Sequence, residues 1–199
     1  AAVLDAPGFV EGAMKHILFL RELHTVGVTL QEPSLKTLDR YLNLWLPLVV
    51  ATNEDTLFVP PADVAWVWHC HRLSPFLYIS YTEERFGKLV EAAAPFEFQS
   101  DSNDESANSG NQATVTRHLW EVKYPNEPFH LASQEGNHLV LTRMSLETKG
   151  FDLVGSTSRQ KLFLWHVSQP RFEDLHFLLE GVTRYHKFLA LKQGHQTIP

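Results

Sequence analysis

Apolar residues along this chain recur mostly at helical spacing. Val10, Ala13, Met14, Ile17 and Leu18 fall on one stripe, which predicts an amphipathic helix over 9–24 with Gly27 as its stop. Leu35, Leu38, Leu42, Trp45, Leu46 and Val49 share a second face and predict a helix over 33–51, started near Pro33 and kinked or split at Pro47. Pro60-Pro61 opens a third helix, with Asp63 in its first turn, where a carboxylate meets the positive end of the helix dipole. Ser74-Pro75 breaks it, and Phe76 to Val90 continues as a helix rich in aromatics.

Residues 99–113 are a polar run of Ser, Asn, Asp and Gly and predict a mobile loop. A short helix is expected over 114–121. Over 139–146, periodicity does not separate a short β element from a helix. Residues 151–167 fit a helix ended by Gln169-Pro170. Residues 172–192 fit a last one with Phe177, Leu178, Val182, Tyr185 and Leu189 inward. The fold class these elements predict is mainly α, a single-domain bundle of about six to eight helices over 1–199.

Composition limits the function classes. Hydrophobic residues make up 44% of the 199 residues and charged residues 20%, enough for a true core without disulfides or metals. A net charge of -6 gives no direct nucleic-acid signal, because sequence-independent binding needs a cationic face. No apolar run is long enough for a membrane span. Glu11, Lys15 and His16 interrupt any signal-peptide pattern at the start. One cysteine excludes an intrachain disulfide and suits a reducing, cytoplasmic location. The chain starts with Ala rather than Met, which leaves room for an upstream segment.

Candidate chemistry concentrates in Asp63-Val64-Ala65-Trp66-Val67-Trp68-His69-Cys70-His71-Arg72. His69 and His71 are candidate metal ligands, with Asp63 to complete or orient the site. Their spacing argues against a single ion on a regular helix, since residues i and i+2 point about 200° apart. The alternative is structural, with Trp66 and one histidine in the core and the other histidine on a carboxylate or carbonyl. Cys70 as a nucleophile would need a base from another element, and free cysteine is more often simply buried. Asp63 as a helix cap and Arg72 as an ion-pair partner of Asp63, Glu83 or Glu84 are the plainer readings. Trp120, Tyr124 and Phe129 read as core more readily than as a stacking platform. No phosphate-binding loop and no serine-hydrolase elbow is present.

An internal repeat is also visible. Phe9 to Leu20 aligns with Leu178 to Leu189 through a shared frame of Glu-Gly, a basic residue, then Phe-Leu. On this reading 172–199 begins a second copy.

The stretch from Val59 to Pro75 resembles the signature of the glycine-rich domain-containing protein family, whose conserved region was long described as a domain of unknown function. Similar stretches are Leu119-Trp120 through Tyr124-Pro125-Asn126-Glu127-Pro128-Phe129, Phe151 to Val154 with Arg159-Gln160, and Val167 to Pro170 through Phe188-Leu189. The resemblance implies a second tryptophan-histidine-x-histidine element soon after the last helix, so an association with a missing second repeat is expected. Plant relatives are associated with stress responses and development, and some with RNA. Those roles lean on a glycine-rich tail that this chain lacks, and they are not carried over. A recurrent signature favours a ligand role for the histidines. The expectation is therefore a metal-binding protein, with zinc or iron held by Asp63, His69 and His71. It would work as a metal-dependent hydrolase or oxygenase-type enzyme acting on a small molecule or protein partner. The alternative is a non-catalytic helical interaction module with the Trp/His cluster as structural core.

Overall fold

The protein is described by a computed structural model. It describes residues 6–30, 32–52, 57–91, 96–99, 110–131 and 152–194. The mainly-α class holds. Among the described residues eight α-helices follow in order: α1 (Ala6–Thr25), α2 (Leu35–Asp39), α3 (Leu46–Ala51), α4 (Ala62–Arg72), α5 (Pro75–Phe86), α6 (Gly110–Lys123), α7 (Leu153–Val167) and α8 (Leu175–Gly194). The described residues contain no strand, only an isolated bridge between Pro61 and Gln99. The segment 139–146, where a β element was considered, lies outside them, as does 100–109 of the expected mobile loop. Of that loop, Gln99 is hydrogen-bonded and 110–113 form the first turn of α6.

Two compact units divide the chain. The first comprises residues 1–21 and 162–199, and the second comprises residues 22–161. In the first unit, α1 meets α7 and α8 through ring contacts. His16 stacks on Phe163 at 5.9 Å and Phe9 on Tyr185 at 6.2 Å. An ion pair joins Arg21 to Glu173 at 2.7 Å. The expected inward stripe of α1 is partly wrong, because Met14 and Leu18 are exposed while Phe19 and Leu20 are buried. Apolar residues surround this helix on more than one face, so the 3.6-residue pattern alone did not select the buried one. In α8, Val182 is buried as expected but Tyr185 is exposed.

The second unit holds the larger core. Ser34 caps α2 by accepting from the Thr37 amide at 3.0 Å. Pro47 has no N–H to donate to the Asn43 carbonyl, so the helix expected over 33–51 does not run through unbroken. Instead Arg40–Trp45 widens into a π-helical stretch, in which the Leu46 amide donates to the Tyr41 carbonyl, before α3 resumes. The Tyr124 hydroxyl donates to the Leu44 carbonyl at 2.9 Å and fixes α6 against this stretch.

Trp45 is the centre of the core. Its ring lies 5.7 Å from Trp68, 5.9 Å from Phe58 and 6.4 Å from Trp120, the first two edge-on. Gly87 ends α5 with φ 73°, a left-handed conformation that glycine adopts without strain.

Candidate functional site

The site begins with the way α4 is held. Pro60 and Pro61 donate no amide hydrogens, so the chain entering α4 is fixed through its carbonyls. The Gln99 amide donates to Pro60 O at 2.8 Å, and Gln99 Nε2 donates to Val59 O at 2.9 Å and Ala113 O at 3.0 Å. The Val59 amide donates to Thr116 Oγ1 at 3.2 Å. Pro61 is the N-cap of α4 and lacks a capping side chain, and Asp63 stands in the first turn as expected.

From Val64 to His71 every residue of α4 is buried. A helix buried all round has no free polar face, so its polar groups must be satisfied by neighbours. His71 Nδ1 lies 2.9 Å from the Tyr41 hydroxyl. Tyr78 packs edge-on against the His71 ring at 5.0 Å and Tyr81 lies at 5.3 Å. Trp68 Nε1 donates to the Tyr78 hydroxyl at 2.8 Å, and that hydroxyl donates to Val90 O at 2.6 Å. His69 stacks on Trp66 at 6.1 Å with Phe96 at 6.4 Å. The Arg72 guanidinium sits 5.4 Å over the Trp68 ring.

Burial also sets the protonation states. It pushes His71 down to about 4, so the ring is neutral at ordinary pH. It pushes the Cys70 thiol upward, which leaves that sulfur a weak nucleophile. Tyr78 is pushed up to about 12, again chiefly by burial. Asp63 is raised by burial, against the opposing pull of Arg40.

The residue that organises Asp63 is Arg40, which pattern reading did not single out. Its guanidinium is buried and makes four hydrogen bonds. Nε donates to Asp63 Oδ2 at 3.2 Å, and Nη1 to Glu127 Oε1 at 2.8 Å and to Pro128 O at 2.5 Å. Nη2 donates to Phe129 O at 2.6 Å, and the cation lies 5.0 Å over the Trp120 ring. Only the planar fork of arginine reaches two carboxylates and two carbonyls from one side chain. Trp120 Nε1 donates to Glu127 O at 2.9 Å, so the Tyr124 to Phe129 turn is held from both sides.

These placements correct the metal reading. Asp63 and His71 are eight residues apart on α4, or about 12 Å along its axis. Asp63 turns to Arg40, His71 to Tyr41, and His69 to Trp66 on another side of the helix. Among the described residues no three His, Cys, Asp or Glu side chains are grouped to hold an ion. The expectation of a metal-dependent hydrolase or oxygenase is therefore overturned. Trp120 and Phe129 are core, as expected, and Tyr124 is half-buried against them.

The arrangement is that of a polar-threaded helical core, and comparison with known proteins gives its family. The family model described as glycine-rich domain-containing protein-like matches residues 77–198. Glycine-rich domain-containing proteins 2 and 1 of Arabidopsis thaliana are each 33% identical over 191 residues, covering 92% and 90% of this chain. The chain belongs to the glycine-rich domain-containing protein family. It spans about a quarter of the length of those relatives, 23% and 22%. No solved structure matches it.

Proposed function

We propose that this chain is a non-catalytic helical interaction module in which the Trp-His-Cys-His helix is structural core and partners bind on other surfaces. One observation carries the reading. The eight consecutive residues Val64–His71 are buried, and Asp63, Trp68 and His71 are hydrogen-bonded to Arg40, Tyr78 and Tyr41 of neighbouring segments. A nucleophile or acid–base pair working on a substrate needs access and a tuned pKa. Cys70 is buried with a raised pKa, and the His71 ring is enclosed by tyrosines. Meanwhile large apolar side chains are exposed elsewhere, including Phe76 on α5 and Trp165 on α7. Such residues suit contacts with a protein partner rather than with nucleic acid, given the net charge of -6.

Among the described residues no helix is long and apolar enough to cross a membrane. The lone free cysteine supports placing the module in a reducing compartment such as the cytoplasm.

The test is the stability of wild type and of the His69→Ala/His71→Ala double variant, each with and without added zinc or ferrous iron. The module reading expects a large loss of stability in the variant that is the same in every metal condition. Metal-dependent stabilisation of the wild type that disappears in the variant would overturn it.

A further inference from the structure

Formal charge divides unevenly between the two units. Six Lys and Arg stand against five Asp and Glu in the first unit, a net of +1, and 11 stand against 18 in the second, a net of -7. Within the first unit the positive charge gathers on the last helix. From Gly181 to Gly194 the sequence holds Arg184, Lys187 and Lys192 and no Asp or Glu. The same helix carries large apolar side chains on its outer side. Val182 is buried, and at about 100° per residue Leu191 points about 180° away from it. Lys187, Arg184 and Phe188 lie within about 60° of that outward direction. Leu191 is 68% exposed and Phe188 is 61% exposed, with Arg184 and Lys187 exposed beside them. Tyr185, which stacks on Phe9 of α1, lies about 120° round from Leu191 and belongs to a different side of the helix. Arg171 extends the cationic edge. Its guanidinium lies 5.9 Å over the Phe177 ring, and that of Arg184 lies 5.7 Å over the same ring. Glu180 is the acidic residue on this edge, 3.4 Å from Arg184 and 3.8 Å from His176.

We infer that the outward side of α8, formed by Arg184, Lys187, Phe188 and Leu191, docks on an anionic lipid surface. The inference deepens the interaction-module reading by giving one of its surfaces a partner chemistry, and it rests on that reading. Two observations choose this occupant. The first is charge complementarity. Cations beside exposed apolar side chains, in a run without acidic residues, match negative headgroups lying over an apolar layer. The second is area. A specific protein interface covers about 800 Å² of each partner, several times what Phe188 and Leu191 offer. Burial at the boundary between headgroups and acyl chains has no such threshold, because each apolar side chain and each cation adds its own share. The formal -7 of the second unit opposes a negative surface, so the attraction is local to the first unit and salt-sensitive.

The test is co-sedimentation of the 199-residue chain with vesicles of phosphatidylcholine alone and of phosphatidylcholine with about 30% phosphatidylserine. The expected result is partition at least about tenfold stronger onto the phosphatidylserine vesicles, lost as salt rises from about 20 mM to about 500 mM. Arg184→Glu/Lys187→Glu removes the preference for the anionic vesicles. Phe188→Ser/Leu191→Ser weakens partition at least about threefold with the charge unchanged. All four side chains are exposed, and circular dichroism of each variant checks that its helices are kept. The same change of charge in the second unit, Lys88→Glu/Lys123→Glu, leaves most of the binding. Equal partition of the wild type onto both kinds of vesicle overturns the inference, as does an equal loss in the second-unit variant. Self-association that replaces vesicle binding and disappears in Phe188→Ser/Leu191→Ser assigns the face to a second copy and also overturns it. None of these outcomes bears on metal dependence, so the module reading stands or falls separately.

Discussion

Arg40 Nε lies 3.2 Å from Asp63 Oδ2, and this contact joins the π-helical stretch to the first turn of α4. The same guanidinium reaches Glu127 and two carbonyls of the turn after α6, so one cation ties three segments that are far apart in sequence. Tyr41, the next residue, holds His71 at the other end of α4. The widened helix therefore presents two adjacent side chains to both ends of the signature helix.

Removing this cation leaves two carboxylates without their shared partner. Arg40→Met is expected to destabilise the chain by roughly 3–5 kcal/mol. The lower end is expected, because the Asp63 and Glu127 side chains are 17% and 23% exposed and water takes up part of the lost contact. Arg40→Lys also destabilises, since an ammonium cannot reproduce the fork. Adding Asp63→Asn and Glu127→Gln to Arg40→Met recovers part of the loss. Urea midpoints across this cycle give the coupling. Additive effects across the cycle would show that the three side chains do not act together.

Tyr78 works as a relay inside the core, accepting from Trp68 and donating to Val90 O. Tyr78→Phe removes both bonds and leaves a buried indole N–H and a buried carbonyl unsatisfied. The expected cost is about 2 kcal/mol, read by chemical denaturation. A loss under half of that would mean water takes over the hydroxyl's role.

Much of the fold was legible because helices announce themselves by spacing and by punctuation. Gly27 after α1, Pro60-Pro61 before α4 and Ser74-Pro75 between α4 and α5 fall at the expected breaks. The π-helical stretch was only half legible. Pro47 signalled a disruption, but whether a missing donor produces a kink or a widened turn depends on packing against Tyr124 and Trp68. In the candidate site, the opposed directions of His69 and His71 followed from the 200° between i and i+2. Arg40 was missed because a single charge inside an apolar stripe looks like a solvent-facing residue until its partners are known. Those partners are 23 and 87 residues away, and no local pattern encodes such distances.

Cys70 tests the enclosure of α4 directly. Its thiol is buried and held above the usual thiol range by desolvation. Native protein is expected not to react with a disulfide reagent on the timescale of an exposed thiol, and to react in proportion to unfolding as urea is added. Rapid native reaction would show that α4 opens locally without global unfolding.

His71 gives the chain a pH dependence whose sign can be worked out. Its ordinary value is 6.5 and burial lowers it to about 4 in the folded protein. Between those values the unfolded chain takes up a proton that the folded chain refuses. The neutral ring therefore contributes stability that is fully present above about pH 6.5 and is lost as pH falls towards 4, at most about 3 kcal/mol. Tyr41, Tyr78 and Tyr81 face the ring, and burial pushes the Tyr41 and Tyr78 hydroxyls upward, away from this window. Asp63 acts with the opposite sign. Its carboxyl is raised in the folded state, so its contribution is present at low pH and lost as pH rises through that raised value. A paired comparison removes this term. Wild type is compared with Tyr41→Phe/His71→Phe, which deletes the titrating ring without stranding the tyrosine hydroxyl. Urea midpoints measured near pH 7 and near pH 4.5 should fall more steeply for wild type than for the variant. Parallel curves would mean that His71 accepts its proton in place, and that the tyrosine enclosure is looser than its ring contacts imply.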